Sequence, residues 1–429
     1  MKKFMFIALF PLIVISAGAE EQVTEIREVV NITKPGVYRF TKNIAEDSGG
    51  DNIFYVSAND VVIDMNGFTL TSPSRYKAFR QELGCSRLTI RNGTIIGITN
   101  ICTDVFAVYA PGNDNTMENL TVVNCINGFC LGDGSTVKNC IFVDREEVSC
   151  DTCIITNAFD GSLEIDGMVV RNIAGSGVGE GILCAEGSTV KNVTFSGSTN
   201  YAGAALRAIG NSVISDVAVC GFRKGGYRDI VTGSGAVGKR VVCSDNLISS
   251  SENISAINGF VRVSDSAVYD LRVSGGGNIN GFHCGTVRDS AAYQFSRTGT
   301  NSYIKGISAN AENSVAFLYS DGSTGIDGSA CYSVAKRNYE GFSGTVLRKC
   351  AADNNSRFGI GASYAYDCHA SDTTGGYGFS LGLSAFGCSA VGNGTNYFVG
   401  AGSDCMYGDI KSTPGYNFST DVKTANFEM

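Results

Sequence analysis

STVKNCIFV at Ser135–Val143 and STVKNVTFS at Ser188–Ser196 are near copies, and so are SDSAVYDL at Ser264–Leu271 and RDSAAYQF at Arg288–Phe295. The second pair repeats at an interval of 24 residues. Aligning both pairs outward gives one column of mostly small residues: Gly67, Gly93, Leu120, Cys140, Gly167, Val193, Val217, Cys243, Ser266, Ser290, Ser314, Ser333, Cys350, Cys368, Cys388 and Cys405. Self-similarity at roughly 20 residues marks a solenoid. The spacing predicts about 16 coils, with intervals mostly of 23 to 27 (one of 20) up to Ser314 and of 17 to 20 after it.

Neighbouring columns turn the repeat into geometry. Three positions before the anchor stand Ile90, Met117, Val137, Val190, Ile214, Val263, Val287 and Leu347; two positions after it stand Ile95, Val122, Phe142, Val169, Phe195 and Val219. Strand alternation sends the anchor and the +2 residue inward, and the +1 residues Thr94, Thr121, Thr194, Ala291 and His369 outward. The position before the anchor is Asn or Asp in Asn66, Asn92, Asn119, Asn139, Asp166, Asn192, Asp216, Asp265, Asp289, Asn313, Asp367 and Asp404. Such residues suit bends, because their side chains bond local backbone and tolerate unusual angles; stacked coils would align them in a ladder. Later coils carry Ala292, Ala316, Ala335, Ala352, Ala370 and Ala390 at +2. Shorter coils with smaller inward residues predict a rod that tapers toward the C-terminus.

Composition agrees. Of 429 residues 54 are Gly, 5 Pro and none Trp, while 43% are hydrophobic and 17% charged. That apolar content excludes a disordered chain, the lack of a Gly-X-Y period excludes collagen, and scattered Gly disfavours a helical bundle. Lys2 and Lys3, the apolar run Phe4–Ile15 and Ala17-Gly18-Ala19 have the form of a signal peptide cut after Ala19. The run is too short to span a bilayer. Removing it takes the formal charge from −8 to −10, which disfavours nucleic acid and anionic lipid as partners. The Lys-rich leader points to a bacterial protein that is secreted, periplasmic or on the cell surface. The expected layout is 1–19 signal peptide, 20–50 N-terminal capping segment, 51–411 parallel β-helix and 412–429 tail.

NITKPGVYRFTKNI at Asn31, followed by VSANDVVIDMNGFTLTS, resembles the opening of right-handed parallel β-helix proteins of the pectin-lyase-like superfamily, and the V-x-N-C-x-x and G-F/G-I phrases resemble its coils. The likeness runs from about Asn31 to Ile410. It implies a right-handed all-β solenoid, and it makes a polysaccharide lyase one reading of the activity.

Sixteen cysteines in an exported chain suggest disulfides, yet six occupy the anchor column, where a free thiol packs as a small hydrophobe. Cys150-x-x-Cys153 in a polar stretch suits a local bridge or two free thiols, and Cys125/Cys130 and Cys85/Cys102 are further candidate bridges. Sequons at Asn31, Asn92, Asn119, Asn192, Asn253, Asn393 and Asn417 partly coincide with the Asn ladder, where a glycan would clash.

Motifs for chemistry are sparse. The two histidines, His283 and His369, belong to no serine-hydrolase pattern. Polygalacturonase-like carboxylate motifs are absent, whereas lyase-like relatives use Asp-bound Ca2+ with an Arg or Lys base. On that resemblance Asp321 and Asp327 in DGSTGID are candidate cation ligands and Arg288 and Arg297 candidate catalytic residues; His283, as a neutral-pH base, is a further catalytic candidate. Outside that possibility no cofactor is required. At +3, three consecutive coils carry Tyr269, Tyr293 and Phe317, with Asp270 and Gln294 following. Exposed aromatics suit pyranose rings or a protein partner; buttressing the sheet is the structural alternative. A charged −2 column (Arg91, Glu118, Lys138, Arg288, Glu312) suits cross-coil ion pairs. Three functions follow: binding of extracellular carbohydrate or a surface partner along a sheet face, a polysaccharide lyase or other carbohydrate-active enzyme, and a structural or adhesin-like protein.

Overall fold

In the computed structural model the described residues run from 22 to 412, apart from 47–49, 73–74, 99–104, 144–151, 157–160, 175–179, 200–202, 225–228, 250–251, 275, 298–302, 319–321, 400–405 and 409–410. They contain strands and no helix, so no helix crosses a membrane. Forty strands pair in parallel into one continuous sheet wound as a β-helix, and a second sheet joins the short strands Arg223–Lys224, Leu247–Ile248, Arg272–Val273 and Ser296–Arg297.

Each coil presents three faces. Face A carries the inward residues Ile63, Ile90, Met117, Val137, Val190 and Ile214, all fully buried. A corner follows, and then face B, which begins at the anchor. Face C precedes face A and lies outside the repeat columns of the sequence. Its inner column runs in register from Phe54 through Phe79, Val108 and Phe129 to Phe342, Ile360, Phe379 and Tyr397. The segment expected to cap the rod already belongs to it: Val23–Ile26 pairs with residues 37–40, and Gly36–Arg39 with Val61–Asp64.

The A/B corner is left-handed at Asn92 (φ 58), Asn119 (φ 52), Asn139 (φ 51) and Asp289 (φ 49), a conformation that Asn and Asp tolerate better than most residues. The expected amide ladder forms here. Asn119 Nδ2 donates to Asn92 Oδ1 at 3.1 Å, Asn139 to Asn119 at 3.3 Å and Asn313 to Asp289 at 3.1 Å. Arg240, Tyr332 and Lys349 hold the same conformation without being Asn or Asp.

The anchor column needs four corrections. Met65, not Gly67, lies inside against Gly93; Gly67 sits in the corner at φ 80. Met168 pairs with Val193, so Gly167 is the corner residue at φ 71 and Val170, rather than Val169, is buried. Val241 pairs with Val217, which places Cys243 two residues later, opposite Val219 and Val268. Ser389 pairs with Lys411, a step of 22 residues that ends the shortening; Cys405 and Asp404 lie outside the described residues. Corners and loops differ in length between coils. The slip of one at Gly167 exchanges inside for outside, whereas the slip of two at Cys243 leaves it buried.

From Ser266 onward the column is continuous through Ser290, Ser314, Ser333, Cys350, Cys368 and Cys388, all buried. Each hydroxyl donates to the carbonyl two residues back, at 2.7 Å in Ser266 and 2.6 Å in Ser290, and the thiols of Cys350 and Cys368 do the same at 3.2 and 3.3 Å. Serine oxygens also accept from the backbone of the preceding coil, as Ser333 Oγ does from Ser314 N at 3.2 Å. Thiol and hydroxyl therefore do one job in this column, and Cys140, Cys243, Cys350, Cys368 and Cys388 are unbridged. Burial pushes the Cys140 and Cys184 thiols up to about 12. Cys125 and Cys130 are buried thiols too. Cys85 is a half-buried thiol; Cys102 and Cys150 lie outside the described residues, as does the side chain of Cys153.

The narrowing seen in the alanines is real: Ala292, Ala316, Ala335, Ala352, Ala370 and Ala390 are fully buried. On face C it is matched by stacked glycines. A Cβ on Gly306 would lie 2.7 Å from Gly325 O, on Gly325 2.7 Å from Gly341 O and on Gly341 2.3 Å from Gly359 O. Much of the glycine thus permits coil-to-coil approach that no side chain allows. The second corner encloses an internal amide ladder. Buried Asn338, Asn355 and Asn393 donate to the carbonyls of Ala316, Ala335 and Ala370 at 3.3, 3.3 and 3.0 Å.

Candidate functional site

Tyr269, Tyr293 and Phe317 stand in register on the outer side of face B, all half-buried. They share a face with Ala267, Ala291 and Val315 at +1 because period 2 puts +1 and +3 on the same side. The result is a shallow trough parallel to the rod axis. Its floor is small and apolar, the rings form one wall, and the corner row Asp265, Asp289 and Asn313 forms the other rim. It spans two rung steps, roughly 10 Å. Period 2 puts the +1 residues and the rings on one face within each coil, and coil register stacks them into continuous columns.

Ring orientation changes what the wall offers. Tyr269 and Tyr293 stack with centroids 5.1 Å apart and planes 8° from parallel. Each ring face is therefore turned to its neighbour, and the edges are what the wall presents outward. The Arg337 guanidinium lies 5.5 Å from the Phe317 centroid. Burial first, then Tyr269 and Asp270, raise the Tyr293 hydroxyl above its ordinary range, so it stays a neutral donor and acceptor. Asp270 and Gln294 do not lie on the sheet. They occupy the next corner at φ 50 and φ 57, at the outer edge of the aromatic wall.

The candidates for chemistry are dispersed. Arg288 is on face A, its Nε 3.2 Å from Asp289 and 3.7 Å from Glu312. His283 is exposed on face C, in register with Asn258 and Ser308. Asp327 is also on face C and pairs with Lys305 at 2.5 Å. The Arg297 side chain and Asp321 lie outside the described residues. Among the described residues no group of three His, Cys, Asp or Glu is arranged to hold a metal ion. His369 Nδ1 lies 2.7 Å from Ser389 Oγ on face B. The −2 column behaves as expected where Arg91 meets the buried Asp64 at 3.4 Å and Lys191 meets Asp166 at 3.3 Å; solvent-accessible pairs such as the second contribute about 0–1 kcal/mol.

No protein-family profile and no curated protein sequence matches the chain. Solved structures that resemble it include PfbA, a surface adhesin of Streptococcus pneumoniae, at 10% identity and TM-score 0.34, covering 87% of this chain and 86% of that one. An alginate lyase follows at 11% identity and TM-score 0.31, covering 76% of this chain and 80% of its own. The tailspike protein of E. coli bacteriophage HK620 matches at 13% and 0.31, over 87% and 69%. At these identities and scores the likenesses carry no argument about activity or ligand.

Proposed function

We propose that the protein is an exported rod, a non-catalytic relative of the pectin-lyase-like superfamily, that binds a polysaccharide in the trough of face B. The supporting observation is the in-register stack of Tyr269, Tyr293 and Phe317 beside the small residues Ala267, Ala291 and Val315. A sugar chain lying along the axis would rest on the alanine floor and against aromatic edges. Tyrosine hydroxyls, Asp270, Gln294 and the Asp265–Asp289 rim would take its hydroxyl groups. The trough needs no cofactor. Glycan-array binding of the secreted protein, compared with Tyr293→Ala, tests the proposal. Loss of the bound glycans in the variant is expected; an unchanged array profile would remove the trough as the binding site.

A further inference from the structure

The corner row that rims the trough changes character as it continues along the rod. After Asp289 and Asn313 it passes to Tyr332 and Lys349, with Arg348 beside Lys349 on face A. Lys349 Nζ lies 5.2 Å from the centre of the Tyr332 ring and 3.4 Å from its hydroxyl, and Tyr332 is 53% exposed. The Arg348 guanidinium lies 5.4 Å from the centre of the Tyr366 ring, which in turn stacks on Phe386 at 5.8 Å and 5°.

Two other cations nearby are matched by acids: Lys336 by Asp353 at 2.6 Å and Arg357 by Glu340 at 3.0 Å. Arg348 and Lys349 have no ion-pair partner among the described residues, although the chain is acidic, with a formal charge of −8. The facing groups are Tyr332, Tyr366, Phe386 and, next in the corner row, Asp367; Glu312, two coils back, is engaged by Arg288 at 3.7 Å. A guanidinium lying on a ring keeps its N–H edge turned outward, the geometry that takes an oxyanion through two parallel hydrogen bonds.

We infer that Arg348 and Lys349, seated on Tyr366 and Tyr332 at the C-terminal end of the trough, form a subsite for an acidic group carried by the polysaccharide. The subsite rests on the trough being the glycan site; along the rod axis Lys349, at the corner between faces A and B, is about three rungs from Tyr293, roughly 14 Å. One polymer therefore reaches both. The acidic groups need only be sparse, because the subsite holds one at a time while the trough takes neutral sugar. Favouring a glycan over an acidic peptide, the cations continue the rim of a trough lined with hydroxyl-binding groups.

The test uses the secreted full chain and matched polymers: neutral polysaccharides that bind the wild type, with their carboxymethylated and sulfated derivatives. Titrations compare wild type, Tyr293→Ala and the double variant Arg348→Gln/Lys349→Gln. The acidic derivatives should bind the wild type about tenfold more tightly than their neutral parents, with an affinity that falls as salt rises. The double variant should lose that advantage and its salt dependence while keeping neutral binding. Equal affinity of wild type and double variant for the acidic polymers would overturn the subsite. So would poly-glutamate competing as well as the polysaccharide, which would make the partner a protein. If Tyr293→Ala leaves every affinity unchanged while the double variant loses the acidic advantage, the trough falls and the cationic subsite stands alone. Thermal melts of both variants, expected within a few degrees of wild type, separate lost binding from lost folding.

Discussion

Replacing Asn355 by alanine should break the rod at one identifiable rung. The side chain is fully buried; its Oδ1 accepts from Asn338 N at 3.0 Å and Asn338 Nδ2 at 3.3 Å, and its Nδ2 donates to Ala335 O at 3.3 Å. Alanine leaves the Asn338 N–H without a partner in an apolar interior, while the Ala335 carbonyl keeps its place in the strand ladder opposite residues 352 and 353. An orphaned buried group costs about 1–3 kcal/mol, so the loss should be about 1–3 kcal/mol. Asn338 Nδ2 keeps Ala316 O at 3.3 Å and adds little. A solenoid rung contacts only its neighbours, so the damage should be local. Native-state hydrogen exchange should show the Asn338 amide and the strands at Glu340–Arg348 and Phe358–Tyr366 exchanging faster, with Leu88–Ile96 and Thr116–Val123 unchanged. Urea unfolding gives the total. A loss under about 0.5 kcal/mol with the Asn338 amide still protected would show that water replaces the amide, and the ladder would not be a stabilising device. The converse is available one rung on. Thr373 interrupts the ladder, fully buried and with its Oγ1 unpartnered among the described residues. Thr373→Asn should gain about 1 kcal/mol by making the bonds that Asn393 makes.

Gly341→Ala puts a Cβ 2.3 Å from Gly359 O and should cost about 2–4 kcal/mol, whereas Gly361→Ala, with 3.3 Å to Phe342 O, should cost under about 1 kcal/mol; urea midpoints compare them. Cys368→Ser should change stability by less than about 1 kcal/mol, because Ser290 and Ser314 make the same bond to the carbonyl two residues back at 2.6 and 2.8 Å. A larger loss would show that the thiol packs in a way a hydroxyl cannot. Raised thiol pKa values have a fixed sign: Cys140 and Cys184, at about 12 when folded against 9.0 in the reference state, favour the fold below pH 9 and progressively less as pH rises toward 12. Alkaline melts should fall through that window. At pH 8 iodoacetamide should label exposed Cys220 and spare those two until the chain unfolds, as mass spectrometry would read.

Face A and most of face B could be read from the residues because their signals are local. Inward apolar residues three before and two after an anchor, with an Asn or Asp bend between, recur at fixed offsets in near copies such as STVKNCIFV and STVKNVTFS. Face C escaped. Its inner column mixes Phe, Ile, Leu, Val and Tyr with no fixed distance from the anchor, since loops of different length intervene. The internal ladder of Asn338, Asn355 and Asn393 escaped as well, because a buried asparagine and a turn asparagine look alike until the neighbouring coil is in place.

What the residues determine alone is the period, the wound parallel strands, the shrinking alanine core and the unbridged thiol column. All of these are set within one coil and repeated. What the tertiary structure decides is everything that depends on slip between coils. It turns Gly67 and Gly167 into corners, moves Cys243 out of the anchor column and puts Arg288 on face A, apart from His283 and Asp327 on face C. It also turns Tyr269 and Tyr293 face to face, so that their edges rather than their flat faces line the trough. The physical reason is that a one-residue difference in a corner is small in sequence but reverses inside and outside for the strand that follows.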